Sequence, residues 1–481
     1  MDVFKKCENV LLIFVVSFLA FLEIFFRSIG IPIIGGDAVF FYPIAENFAQ
    51  QNGLFHPVMS PITSRGGALT WHGWLHPYVL GFLGRLFPDP FIGITISETL
   101  IVGIGCIGFT TTFCSAYREV SVYVKGAVVM SVVAVAFGYL GRPESLAFVL
   151  LVAGIASIHY LEEGAVRFGL VVVLWGGIGA TQPTVALLIG PVLLGYMIIS
   201  ETNVHSALNK WLVVGAASVA ATFLLTAVLY PYSVAEWING LWQHSQKIAS
   251  RGDTGRKLYY YFLQPSRFMQ GGWYILAVAC GTLLLWQSNE TRNWGLVGVA
   301  LIGAGLAWYT SIRVPPTRYN LFALLPVFTI IVQESLTKLE GVRLISATKI
   351  LVILLGLSSV LITGRRAKVF IHSTHIPSRQ EVASKLDKIE ENKICIDKGL
   401  LFSTYNPQRW DDFCLMDSKL PNGKERYAVV RQAGLGRLNP PKVKNYTILF
   451  DNFRSNGIYF GPLKISNTDG SYRFAIYKKI N

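Results

Sequence analysis

The chain has 481 residues, of which 52% are hydrophobic and only 15% charged, with a mean hydropathy of +0.46. Soluble domains carry about 25% charged residues, so this composition excludes a wholly water-soluble protein and requires lipid as part of the solvent. The formal net charge is +14, and most of the excess lies in residues 365–481, where 21 Lys or Arg face 11 Asp or Glu. Beside a membrane, such a tail suits anionic lipid headgroups or a polyanionic glycan, unless it is an ordinary solvated basic surface. Nucleic acid is not an expected partner.

Apolar runs bounded by charges occur near 9–26, 92–116, 126–140, 145–161, 168–181, 184–200, 211–230, 273–287, 295–310, 319–334 and 348–363. About 20 apolar residues cross the hydrocarbon core as a helix, and only helices or closed barrels can cross it. These runs are continuous rather than alternating, which favours helices over barrel strands. The fold class expected is a polytopic all-α membrane domain of about 11 transmembrane helices over residues 1–364. Spans three, four, five and ten are short, and are expected to dip into polar motifs at one face, where a cavity tolerates them.

Lys5 and Lys6 precede the first run, which is too long for a removable signal peptide and lacks a small-residue cleavage site. With the N-terminus cytoplasmic, the inner loops hold Arg118, Lys125, Arg167, Lys210, Arg292, Lys338, Arg343 and Lys349, in keeping with the positive-inside rule. The outer loop 231–272 nevertheless carries Lys247, Arg251, Arg256, Lys257 and Arg267, which would then need a function.

Residues 28–91 form a long first outer loop. Phe41, Ala45, Phe48 and Ala49 recur at helical spacing between Asp37 and Gln51, which predicts an amphipathic helix along the interface, ended by Asn52-Gly53. Leu75 to Phe87 reads as a re-entrant or interfacial segment interrupted by Pro77 and closed by Pro88. Residues 365–481 switch to soluble composition and are expected to form an extracytoplasmic α/β or mostly β domain, helical over Gln380–Glu391 and extended over Tyr446–Phe450 and Arg473–Lys478. Cys395 and Cys414 in this region are either one disulfide or two unrelated thiols.

Asp37 opens the outer-loop helix, where the helix N-terminus favours an ionised carboxylate. Such a group either caps the helix or takes a proton from an acceptor hydroxyl. Gly141-Arg142-Pro143-Glu144 lies at the same face between spans three and four, and is either an ion pair closing a short turn or a site with Glu144 orienting substrate and Arg142 binding phosphate. His72 and His76 have metal-ligand spacing, with His56 upstream. However, no Glu follows His72 as in a zincin, and Gly73 and Pro77 disfavour a regular helix. No metal site is assigned.

The stretch Gly36-Asp37-Ala38-Val39-Phe40-Phe41-Tyr42-Pro43-Ile44-Ala45-Glu46-Asn47, followed by Gly53, resembles the first outer loop of GT-C glycosyltransferases. These include bacterial enzymes that use polyprenyl-phosphate sugars, aminoarabinose transferases acting on lipid A, and protein O-mannosyltransferases. Trp74-Leu75-His76-Pro77-Tyr78, the Arg142-Pro143-Glu144 motif, Thr181-Gln182-Pro183-Thr184, and Arg313, Arg318 and Tyr319 around Pro315-Pro316 resemble further motifs of that superfamily. Ala38 departs from it, since many members carry a second acidic residue there.

The resemblance implies transfer of a hexosyl or pentosyl group, with inversion, from a polyprenyl-phosphate donor to a glycan, lipid or protein acceptor. Asp37 and Glu144 would be the catalytic carboxylates. Arg318, Arg313, Lys257, Arg256 and Arg142 would hold the donor phosphate, and Tyr42, Trp74, His76, Tyr78, Gln182 and Tyr319 would line the substrate cavity. No cofactor is required, and a divalent cation is compatible with the chemistry without being demanded by it. The expected setting is a bacterial inner membrane with the site on its periplasmic or extracellular face. The alternative class is a lipid-linked glycan flippase, transporter or polymerase, but a transporter would more often show paired broken helices in two repeats.

Overall fold

The computed structural model describes residues 2–28, 38–56, 68–118, 120–138, 140–201, 203–250, 293–302, 379–386, 426–431, 440–451 and 474–480, with short pieces at 388–389, 395–396, 458–460 and 463–466 and a few isolated positions. Among the described residues the membrane part includes α1 (Asp2–Ser28), α2 (Ala38–Ala49), α3 (Leu75–Gly84), α4 (Pro90–Ala116), α5 (Val122–Gly138), α6 (Pro143–Tyr160), α7 (Ala165–Thr181), α8 (Pro183–Ser200), α9 (Val204–Leu229), α10 (Val234–Ser250) and α11 (Asn293–Ile302). Four of these, α4, α6, α8 and α9, are long and apolar enough to cross a membrane. The chain is an integral membrane protein. The first seven expected spans coincide with α1 and α4 to α9; most of the remaining four lie outside the described residues.

Local chemistry sets the helix ends. Asp89 caps α4, accepting from the N–H groups of Phe91 and Ile92 at 2.9 and 3.2 Å, with Pro90 in the first turn where a missing N–H costs nothing. Pro143 and Pro183 open α6 and α8 in the same way. Ser233 and Glu236 form a reciprocal capping box at the start of α10. Pro77 does not interrupt α3. It sits in the first turn, where its ring is tolerated and no N–H is needed.

Lateral packing follows membrane rules. On α1, Val10, Phe14, Phe18, Phe21 and Phe25 form an exposed stripe at helical spacing suited to lipid, while Val16 and Ala20 are buried. Small residues let α7 and α9 approach closely: a Cβ added at Gly176 would lie 2.8 Å from Ala221, and the Thr222 hydroxyl donates to the Gly176 carbonyl at 2.9 Å. The helix α2 differs from expectation. Ala38, Phe41, Tyr42, Ile44, Ala45, Asn47 and Ala49 are all buried, so it is enclosed by protein rather than laid along an interface.

The C-terminal region contributes α12 (Arg379–Leu386) and strands β1 (Cys395–Ile396), β2 (Tyr427–Arg431), β3 (Tyr446–Asp451), β4 (Ile458–Phe460), β5 (Leu463–Ser466) and β6 (Phe474–Lys479). The main sheet has the order β1-β2-β6-β3, antiparallel except for the parallel β1–β2 pair. Val382 and Leu386 of α12 pack on Val429, Phe474 and Ile476, and Phe40 of α2 packs against the same cluster. The sheet domain therefore meets the membrane part at the end that carries α2. Cys414 lies outside the described residues.

One turn fixes the top of the bundle. Gly141 has φ +82°, and a Cβ there would lie 2.5 Å from the Ala38 side chain. Both the left-handed backbone and the contact demand glycine. Gly141→Ala should therefore lower stability by about 1–3 kcal/mol, read as a reduced midpoint in thermal unfolding of the detergent-solubilised protein. An unchanged midpoint would mean that α2 does not bear on this turn.

Candidate functional site

The described residues converge on a buried carboxylate. Glu98, the one charged residue in α4, is 1% exposed, and both of its oxygens are engaged. Oε2 accepts from the Tyr42 hydroxyl and from the Gly141 N–H at 2.8 Å. Oε1 accepts from the Ser145 hydroxyl and meets His76 Nε2 at 2.9 Å. Ser145 also lies 2.7 Å from the Arg142 carbonyl, which ties the first turn of α6 to the hub. A buried anion is tolerated at such depth only when hydrogen-bonded in this manner.

Arg142 and Glu144 form a second buried group beside it. The guanidinium makes a two-pronged contact with one carboxylate, Nε to Oε2 at 3.1 Å and Nη2 to Oε1 at 2.8 Å. Glu144 is wholly buried in the first turn of α6, where the helix N-terminus favours negative charge. The motif thus forms an ion pair across its turn.

Above this cluster, residues 68–74 are held by polar ends of aromatic rings. Tyr230 donates to the Leu69 carbonyl at 2.5 Å, Trp237 Nε1 to the His72 carbonyl at 2.9 Å and Trp74 Nε1 to the Thr226 hydroxyl at 3.1 Å. At Gly73 the backbone approaches so closely that an added Cβ would sit 1.8 Å from the Thr181 carbonyl. His72 Nδ1 accepts from the Gly73 N–H at 2.9 Å, and Gln182 closes on Nε2 at 3.1 Å. Burial, followed by the neighbouring His244, Arg142 and His76, pushes the His72 imidazole down to about 3, so it stays neutral at physiological pH.

Of the residues singled out in the sequence, the structure brings together Tyr42, His76, Arg142 and Glu144 around Glu98, and places Trp74 and Gln182 on the overlying loop and the start of α8. Tyr78 packs beside them, its ring 4.8 Å from Phe48 and 5.6 Å from Trp74. Asp37, Lys257, Arg256, Arg313, Arg318 and Tyr319 lie outside the described residues. His72 precedes α3, so the two histidines do not share a helix face. Among the described residues, no group of three or more His, Cys, Asp or Glu side chains is placed to hold a metal ion. Glu98 and Ser145 were missed by sequence reasoning. The available signal was an acidic residue inside an otherwise uncharged span, which is a functional-site indication in its own right.

Because the Arg142–Glu144 pair is buried, removing one partner strands the other charge. Arg142→Met should destabilise by about 3–5 kcal/mol. The double variant Arg142→Met with Glu144→Gln should recover most of that loss. Thermal unfolding of the single and double variants in detergent checks this, and equal damage in both would show that the pair is not the unit.

Comparison with protein-family models and with curated proteins finds no match for this sequence. Solved structures do match. The apo oligosaccharyltransferase of Archaeoglobus fulgidus superimposes with a TM-score of 0.53 at 11% identity, over 90% of this chain and 70% of its own. ArnT from Cupriavidus metallidurans bound to undecaprenyl phosphate matches with a TM-score of 0.51 at 14% identity, over 98% of this chain and 97% of its own. Its apo form gives 0.51 at 15% identity, over 97% of each chain. This chain shares its fold with the Archaeoglobus fulgidus oligosaccharyltransferase and with ArnT.

Proposed function

We propose that the chain is a glycosyltransferase that moves a sugar from a polyprenyl-phosphate donor to a glycan, lipid or protein acceptor at the outer face of the membrane. The observation that supports this most is the likeness along almost the whole length to ArnT, a protein crystallised with undecaprenyl phosphate. Fold alone does not specify chemistry. The buried polar hub under the first outer loop, at the end of the bundle that meets the sheet domain, supplies the local support. We take residues 1–364 as the catalytic membrane domain and 365–481 as the extracytoplasmic domain, the setting being a bacterial inner membrane.

In this reading the acceptor hydroxyl oxygen attacks the anomeric carbon. The bond from that carbon to the phosphate oxygen breaks, the electron pair leaves with the polyprenyl phosphate, and the hydroxyl proton passes to Asp37. One displacement inverts the anomeric centre. Asp37 directly precedes Ala38, whose side chain faces Gly141 at the edge of the hub. The departing phosphate gathers negative charge in a low-dielectric setting and needs cations, for which Arg318, Arg313, Lys257 and Arg256 are the candidates. Arg142 is already neutralised by Glu144 and ranks below them. Glu144 then acts through the ion pair, shaping the cleft.

Two variants test the assignment in nanodiscs supplied with a panel of undecaprenyl-phosphate sugars. Asn caps a helix about as well as Asp but is not a base. Asp37→Asn should leave expression and thermal stability intact and lower transfer by about 10²–10⁴-fold. Near-normal transfer would make Asp37 structural. Arg318→Ala removes a charge-assisted hydrogen bond worth about 1.5–3 kcal/mol, so donor use should weaken roughly 10- to 150-fold. Unchanged dependence on donor concentration in the folded variant would remove Arg318 from the phosphate site.

A further inference from the structure

His76 is wholly buried, and its two nitrogens have unequal fates. Nε2 lies 2.9 Å from Glu98 Oε1. Nδ1 is buried with no hydrogen-bond partner among the described residues. A carboxylate only accepts, so a ring that carries a single proton holds it on Nε2 and presents Nδ1 as a bare lone pair. A histidine used only to fill volume would not need this arrangement. Tyr42, Ser145 and the Gly141 N–H all fix the carboxylate that fixes the ring, while the Phe41 ring packs against the imidazole at 5.9 Å. A lone pair of this kind calls for a donor. An ionised phosphate has none to offer, whereas a sugar hydroxyl does.

We propose that His76 Nδ1 is a substrate contact that accepts a hydrogen bond from a hydroxyl of the lipid-linked sugar, and that Glu98 is the positioning residue that holds the imidazole in the required tautomer. This rests on the glycosyl-transfer reading for the identity of the ligand. It assigns His76 to sugar recognition and leaves the proton of the acceptor to Asp37.

The test uses the full chain in nanodiscs, with binding followed by tryptophan fluorescence. The probes are bare undecaprenyl phosphate and undecaprenyl phosphate carrying a hexose or a pentose. The native protein should bind at least one sugar-bearing lipid more tightly than the bare carrier. Gln places a donor near the Nε2 position but has nothing at Nδ1. His76→Gln should therefore bind bare carrier normally and lose about 2- to 10-fold of the sugar preference. His76→Asn keeps an acceptor near Nδ1 and should retain part of it. If the preference survives in His76→Gln, the His76 contact falls and glycosyl transfer stands. If the native protein shows no preference for any sugar-bearing lipid, both fall.

Glu98→Gln separates positioning from folding. Tyr42 and Gly141 both donate to the Oε2 position and will hold the amide oxygen there, which turns the amide NH₂ towards His76 Nε2. The ring must then accept at Nε2 and carry its proton on Nδ1. Nitrogen-15 spectra of histidine-labelled protein, with His76→Gln used to assign the resonance, should show the unprotonated nitrogen at Nδ1 in the native chain and at Nε2 in Glu98→Gln. The sugar preference should be lost together with that change. The same tautomer in both proteins would overturn the positioning role.

Discussion

A single buried carboxylate organises the end of this bundle. Glu98 comes from α4, yet its donors come from α2, α3, the turn before α6 and α6 itself. Two of these elements are short: α3 has only 10 residues and α2 only 12. Helices of that length are marginal without tertiary contacts. Desolvating an anion is costly, so the hub is stable only when every donor is in place. That makes the position of each donor depend on the others.

A second layer rests on the first. Trp74, Tyr230, Tyr232 and Trp237 pack with Phe41, Leu54 and Leu69 while their polar atoms engage backbone or hydroxyl groups across the loop. Aromatic residues with one polar end suit such a boundary, where an apolar body and a hydrogen-bonding tip are both needed. Phe40 extends the layer, touching Trp71 on one side and the cluster of the sheet domain on the other. The outer loop, the membrane helices and the sheet domain thus share one continuous set of contacts around the hub.

The spans could be read from the sequence because hydrocarbon imposes a length and a composition that leave a plain trace. Segments such as Pro183–Ser200 carry no charge at all. The outer-loop helix was also legible, since Phe41, Ala45, Phe48 and Ala49 keep their period. What periodicity could not give was its surroundings, because its remaining faces are covered by α3 and α4. Strand β2 was missed for a related reason: Tyr427–Arg431 lies between β1 and β6, is apolar on both faces and has no alternation to detect. Glu98 escaped because an apolar run is defined by its average. Its partners are 56, 22 and 47 residues away in sequence, at Tyr42, His76 and Ser145, and only folding brings them together.

The placement of acidic groups at this end has an electrostatic reason. Helices α4, α6 and α8 begin at this end, at Pro90, Pro143 and Pro183, so their N-termini bring partial positive charge and unpaired N–H groups to it. Glu144 sits in the first turn of α6, where that field favours an anion, whereas Glu98, in the third turn of α4, depends on its hydrogen-bond donors. At the opposite end of the bundle Lys125 meets Asn9, and Lys210 bridges Glu163 and Glu201. At Glu163 the hydrogen bond from Lys210 holds the carboxyl below its ordinary range. The hub thus lies at the end of the bundle opposite Lys125 and Lys210.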